Sequence, residues 1–233
     1  MAVGSFISVA TADITSPADL PEVIPLFPLP RALLLPRGHL PLNIFEKRYL
    51  SMINDALGKG RFIGMIQPRG QDNDNPGEIV EGKPVLYEVG ALGRITSFSE
   101  TSDGRYLISL FGVTRFRIER ELDTLTPYRQ ARVNYETFAQ DFEVGAGEAE
   151  VDRTRLVALL KAYLERHELK ADWKAIRDSD NETLVNSLCM MSPYGISEKQ
   201  ALLEAASLNA RNEILIAITE LALAHESGTN TLQ

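Results

Sequence analysis

Residues 23–57 read VIPLFPLPRALLLPRGHLPLNIFEKRYLSMINDAL. Pro25, Pro28, Pro30, Pro36 and Pro41 are set among leucines, and the stretch then turns amphipathic at Phe45-Glu46-Lys47-Arg48-Tyr49. Proline lacks an N–H and fixes φ, so this run is neither a helix interior nor a central strand. It reads as short extended pieces at 23–27, 32–35 and 39–44, with a turn at Arg37-Gly38. The spacing of Phe45, Tyr49, Met52, Ile53, Ala56 and Leu57 then predicts a helix with one apolar face, ended by Gly58 and Gly60. The prolines are too irregular, and too mixed with leucine, for a solvated polyproline helix.

Working outward, residues 62–67 form a compact apolar run and a buried-strand candidate. Residues 70–84, rich in Asp, Asn, Pro and Gly, form a surface loop. Two long strand candidates, 86–99 and 105–120, flank Ser102-Asp103-Gly104, a hairpin signal. Gly112 marks a bulge or bend in the second. Thr114, Phe116 and Ile118 alternate with Arg115, Arg117 and Glu119, which predicts one buried and one solvated face. A last strand follows at 128–138.

Beyond residue 140 the periodicity is helical. Gly145-Ala146-Gly147 is a joint, followed by helices at 148–168, around Trp173 and Ile176, at 181–191, at 198–206 after a Ser197/Gln200 capping box, and at 209–224. Strands first and helices afterwards indicate an α+β chain, not alternating βαβ units. The expected organisation is a lead at 1–21, a β-domain at 22–140, a helical bundle at 141–226 and a tail at 227–233.

The chain of 233 residues carries a net charge of −8, unevenly. Residues 1–140 hold 15 Lys+Arg against 16 Asp+Glu, and residues 141–233 hold 9 against 16. With no basic run, nucleic acid and anionic membranes are poor partners. One cysteine rules out an intrachain disulfide and a multi-cysteine zinc site, and fits a reducing compartment. No signal peptide or membrane span is read, so a cytoplasmic location is expected.

Catalytic signatures fail one by one. There is no Gly-x-x-x-x-Gly-Lys-Ser/Thr loop, no Gly-x-Ser-x-Gly elbow and no Ser-x-x-Lys pair. Cys189, between Leu188 and Met190, reads as a small buried hydrophobe and not as a nucleophile served by His167 or His225. The histidines lack metal-ligand spacing. A calcium-loop reading of residues 72–83 fails at Pro76 and Lys83. No catalytic residue, cofactor or metal is expected. Arg94, Arg105, Arg115, Arg117 and Arg120 form the one basic concentration, read as a solvated, partly salt-bridged row and alternatively as an RNA face. Met190, Met191 and Tyr194 are the candidate peptide contacts, because methionine repacks easily.

Several motifs together carry a family resemblance. They are Ile24-Pro-Leu-Phe-Pro-Leu-Pro30, Leu35-Pro-Arg-Gly-His-Leu-Pro-Leu42, Ile44-Phe-Glu-Lys-Arg-Tyr49, Phe62-Ile-Gly-Met65, Glu88-Val-Gly90, Gly93-Arg-Ile95, Asp103-Gly-Arg-Tyr106 and Gly112-Val-Thr-Arg-Phe-Arg-Ile118. Leu184-Val-Asn-Ser-Leu188 and Glu198-Lys-Gln-Ala-Leu-Leu-Glu204 extend them into the helical part. Their order and spacing resemble the amino-terminal, substrate-binding domain of ATP-dependent Lon proteases, over about residues 22–224. Without a phosphate loop or a serine–lysine dyad, the chain is similar to stand-alone bacterial Lon-domain proteins.

The resemblance implies a PUA-like, mostly antiparallel β pseudo-barrel with one inserted helix, followed by a C-terminal α-helical bundle. It also implies non-catalytic binding of unfolded or tagged protein segments, as an adaptor or holdase. RNA binding and small-ligand binding at an interdomain groove are the alternatives, and apolar groove edges also offer a way for two copies to pair. Phe45, Glu46, Arg48 and Tyr49 match the family signature and read as fold-defining, with Phe45 and Tyr49 on the helix's buried side and Glu46 near its positive end.

Overall fold

The structure, a computed structural model, describes residues 14–70, 77, 79–80 and 82–229, the last five by backbone alone. Most of the lead at 1–13, residues 72–76 of the former calcium-loop candidate, the His225 side chain and the tail at 230–233 lie outside the described residues.

The strands are β1 (Val23–Pro28), β2 (His39–Ile44), β3 (Phe62–Ile66), β4 (Ile79–Val80), β5 (Lys83–Pro84), β6 (Val89–Glu100), β7 (Tyr106–Leu122) and β8 (Gln130–Asn134). The helices are α1 (Lys47–Leu57), α2 (Arg153–Arg166), α3 (Trp173–Asp178), α4 (Asn181–Met191), α5 (Ile196–Glu204) and α6 (Leu208–Thr229). Short 3₁₀ turns at Pro17–Asp19, Glu136–Phe142 and Glu148–Glu150 join them. Six strands form a mixed sheet in the order β2-β7-β6-β3-β1-β8, with β1 parallel to β3 and the other pairs antiparallel. Since β8 also pairs with β7, five strands close on themselves and β2 is left outside the circuit.

β7 makes that closure. Its first half faces β2 through residues 106–111 and its last part faces β8 through residues 117–122. The change of neighbour falls at Gly112-Val113-Thr114, where the register against β6 slips between Leu92 and Gly93. This is the irregularity expected at Gly112, and its cause is a close crossing. Arg37 N–H donates to Gly112 O, and Gly112 N–H donates to Gly38 O, both at 2.8 Å. A Cβ on Gly112 would lie 2.8 Å from the Leu35 carbonyl carbon and closer still to its oxygen.

Residues 32–35 are not a strand, contrary to the pattern. Arg31 adopts a positive φ of 62° between prolines, and Leu33, Leu34 and Leu35 are all buried. An edge strand would alternate; this segment instead plunges into the core. Phe45 also departs from expectation. The helix begins at Lys47 with Glu46 as N-cap, so Phe45 precedes the helical period and is 64% exposed.

One buried cluster fills the strand circuit, with Ile24, Leu26, Leu92, Phe116 and Ala131 at its centre. Gly90 and Gly64 leave room for the Phe116 ring. The other cluster joins Leu34, Leu35, Ile53 and Ile95 to Leu184, Val185, Leu202 and Ile216, so the strands and the helices share one apolar core. Burial of each such side chain is worth about 1.5–3 kcal/mol.

Asp152, Asp172 and Asp180 cap α2, α3 and α4 by accepting peptide N–H groups of Arg155, Ala175 and Thr183. The capping box expected at Ser197 is absent. Gly195 is the N-cap of α5, and Gln200 is buried instead, its amide donating to Val89 O at 3.1 Å and to Glu204. Lys199 is buried too, and its ammonium donates to Cys189 O at 2.7 Å and Met190 O at 2.8 Å, closing the end of α4. Burial pulls its pKa down from 10.5 to about 8. The unfolded chain therefore holds more protons through that window, and the Lys199 contribution rises with pH from about 8 to 10.5. The stability difference between wild type and Lys199→Met, followed by urea titration, should shift toward wild type across it; a flat difference would refute the linkage.

Candidate functional site

A groove of about 820 Å³ opens where the end of β1, the open side of β2, the start of α1, the β4–β5 hairpin and residues 121–129 meet. Its lining is mixed: Leu29, Leu42, Phe45 and Leu122, with the buried Phe27, Ile44, Tyr49 and Tyr128 behind them, alternate with the charged Glu46, Arg48, Lys83, Glu121, Asp123 and Arg129. The stretch quoted first thus supplies one whole wall. Its prolines keep the wall extended without a continuous ladder.

The aromatic walls are held in place from behind. The Phe27 and Tyr49 rings pack at 4.3 Å between centroids. The Arg48 guanidinium covers Tyr49 at 4.5 Å and its Nε donates to Glu46 at 2.9 Å. Burial raises the Tyr49 phenol above its ordinary pKa. Tyr128 donates its hydroxyl to Asp55 at 2.6 Å; burial and this carboxylate keep it protonated. Arg129 is held by Glu121 through Nε at 2.7 Å and by Pro84 O at 2.7 Å.

Among the described residues β2 pairs on one side only, with β7. Pro41 fits there because its missing N–H can face the unpaired side. Main-chain groups alternate along a strand, so those of Asn43 face the same way as those of Pro41, toward the groove that Asn43 lines. Ile79 and Val80 on the hairpin and Leu125 in the 121–129 loop are exposed apolar side chains on elements that line the groove.

The signature residues Phe45, Glu46, Arg48 and Tyr49 all line this groove. Of these Tyr49 is buried, while Phe45, Glu46 and Arg48 are exposed. Met190, Met191 and Tyr194 lie elsewhere, around the end of α4. Met190 packs over Gly38, and Tyr194 is half-buried with its hydroxyl 2.6 Å from that of Thr219. Met191 alone of the three is exposed, at 74%. The groove was not legible from residue types, since its walls come from five separate segments.

The solvated, partly salt-bridged arginine row holds at Arg105, Arg117 and Arg120, which are exposed, with Arg105 paired to Asp103 at 2.9 Å, and it fails at Arg115. Arg115 is 4% exposed and donates through Nε and Nη2 to Asp141, at 3.0 and 2.8 Å, and through Nη1 to Leu203 O and Ala205 O, at 3.0 and 2.6 Å. Its face of β7 is solvated in an isolated sheet, but here the Glu136–Phe142 turn and α5 cover it. Arg117 does reach solvent, paired with Glu88 at 2.9 Å. Cys189 is fully buried and burial pushes its thiol up to about 12, so it stays protonated and unreactive. Among the described residues no group of His, Cys, Asp and Glu is arranged to hold a metal, and no helix is long and apolar enough to cross a membrane.

The fold is that of Lon N-terminal domains. A Lon N-terminal domain protein from Xanthomonas campestris superposes with a TM-score of 0.57 at 24% identity, covering 84% of this chain and 97% of that one. The N-terminal domain of a Mycobacterium avium complex Lon protease gives 0.60 at 17% identity, over 85% and 98%. The family model for the ATP-dependent protease La (LON) substrate-binding domain matches residues 23–220, and the chain belongs to that family. "Lon protease 2" of Myxococcus xanthus is 28% identical over 85% of this chain, and "Lon protease 2" of Sorangium cellulosum is 29% identical over 88%. The chain spans about a quarter of these relatives, 23% and 25% of their lengths. The part matched is the substrate-binding domain, not the ATPase or protease portions.

Proposed function

We propose that the chain is a substrate-recognition module that grips an extended, apolar segment of another protein in the β2–α1 groove. The observation that carries this is a cleft of mixed apolar and charged lining, the exposed Phe45 ring at its mouth, paired with a strand that has no second partner among the described residues. An added segment can hydrogen-bond to such an edge while its alternate side chains enter the cleft. Membership of the substrate-binding family supports it. The closed five-strand circuit supports reading the β part as the PUA-like pseudo-barrel of the resemblance, and the packing of α2, α4 and α5 on α6 supports the bundle. A role as adaptor or holdase for unfolded or tagged chains in the cytoplasm belongs to the same reading. RNA binding is disfavoured by the burial of Arg115.

Fluorescence anisotropy with labelled unfolded polypeptides tests the groove. Phe45→Ala removes an exposed ring and should leave stability within about 0.5 kcal/mol. It should weaken binding by about tenfold, the value of an aromatic anchor worth about 1–2 kcal/mol. Met191→Ala, away from the groove, should leave affinity unchanged. Unaltered binding by the Phe45 variant, or flat titrations for all polypeptides with wild type, would remove this reading.

A further inference from the structure

A second cavity, of about 320 Å³, lies at the junction of the strands and the helices. Arg37, Arg115 and Arg211 project onto it together with Asp141 and Glu182, and the residues that open α6, Ser207 and Leu208, form one side. Charges inside it do not balance. Asp141 neutralises Arg115, and Glu182 neutralises Arg37. Arg211 is 4% exposed and makes no ion pair among the described residues. Its Nε donates to Leu202 O and its Nη1 to Asn186 Oδ1, both at 3.0 Å, which leaves Nη2 for something else. Arg37 Nε is also buried and unpartnered among the described residues. Burial first, and then the field of the neighbouring Arg115, disfavour the charged form of Arg211 against the smaller opposing pull of Asp141 and Glu182, and its pKa falls to about 10.

A buried guanidinium short of a counter-charge is costly, and an oxyanion is its natural complement. The start of a 22-residue helix adds unsatisfied peptide N–H groups on the same wall. Ser207 Oγ already accepts from Ala210 N–H at 3.1 Å, so the groups on offer are those just before it. The mouth of the cavity has the opposite sign, because Glu143 and Glu150 line it and are exposed. One surplus positive charge inside and two negative charges at the rim disfavour a dianion and suit a small ligand that carries both a carboxylate and an ammonium.

We propose that this junction cavity binds a small zwitterion of the α-amino-acid class, with the carboxylate on Arg211 and the start of α6 and the ammonium toward Glu143 and Glu150. Such a ligand would touch the strand part through Arg37 and the helical part through α6 at once. The site is separate from the groove and does not depend on how the groove is used.

The test is amide chemical-shift mapping on the whole chain, titrated with L-alanine, alaninamide, propionate and inorganic phosphate. Alanine should shift the amides at the start of α6 and the Arg211 side chain at millimolar concentration. Propionate should do so more weakly, and alaninamide and phosphate should not. Glu143→Gln/Glu150→Gln, both on the surface, should reduce the affinity for alanine to that for propionate. Arg211→Lys keeps the charge but loses the fork, and should weaken both carboxylates by about tenfold, a loss of one charge-assisted hydrogen bond. Should that variant fail to fold, the rim variant still decides. No shifts at α6, tighter binding of phosphate than of alanine, or an alanine affinity indifferent to the rim glutamates would overturn the proposal.

Discussion

Asp141→Asn should destabilise the protein by about 3–5 kcal/mol, because it leaves the Arg115 guanidinium buried beside a neutral partner. The side chains of Arg115 and Asp141 are only 5% and 7% exposed, so water cannot take over the lost interaction. The arginine also holds the carbonyls of Leu203 and Ala205, and the change should therefore loosen α5 where it meets the strands. Urea unfolding measures the loss, and amide exchange should show faster opening in α5 and in the Glu136–Phe142 turn. Arg117 and Glu88 provide the contrast: both are largely exposed, and Glu88→Ala should cost under about 1 kcal/mol. An Asp141 variant as stable as the Glu88 variant would show that the buried pair does not tie the two parts together. Replacing Arg115 and Asp141 together by apolar residues should cost less than the single change, since neither charge is then stranded.

Gly112→Ala should be the most damaging single methyl addition in the strands. Its φ is not positive, so backbone conformation is not the obstacle. The added carbon would press on the Leu35 carbonyl, a main-chain group held by its own hydrogen bond from Gly38 at 3.0 Å, and no side-chain rotation can relieve it. Overpacking of this kind costs about 3 kcal/mol. The 35–38 turn would have to move away from β7, which would break the two bonds between Gly112 and Arg37-Gly38. Gly104→Ala is the control: nothing lies within 4 Å of its added carbon, and any cost comes only from its positive φ of 79°. Thermal unfolding of the two variants separates a close approach from a turn requirement, and a Gly112→Ala protein that melts with wild type would disprove the crossing.

Legibility followed the range of the physics involved. α4 runs from Asn181 to Met191 as its periodicity indicated, because Asp180 starts it and Ser192-Pro193 stops it within its own sequence. The β6–β7 hairpin was legible for the same reason, its Asp103-Gly104 turn lying between two β-rich runs. Arg115 was not. Strand alternation states which side chains share a face, but not what covers that face; here residues 141 and 203–205, far along the chain, turn a solvated-looking face into interior. Phe45 misled in the opposite way. Its spacing matched a helix that begins two residues later, at Lys47, so a ring assigned to the core stands at the mouth of the groove. Gln200 looked like half of a cap and is instead a buried bridge from α5 to Gln67 and Val89. The groove and the junction cavity both arise between distant segments, and neither has a local signature.

Pro41 has a consequence for how long anything can stay on the β2 edge. A segment laid along six ordinary residues would gain an unbroken row of main-chain bonds, which is how chains become trapped in irreversible stacks. The missing N–H at Pro41 interrupts that row in its middle and leaves one carbonyl of the incoming segment unanswered. On the proposed use of this edge, the interruption favours short residence. In that use a guest would hold on mainly through side chains placed against the exposed Phe45 and its neighbours, and would leave when those few contacts open. The same proline would interrupt the row in the same way for a second copy of the chain laid along this edge.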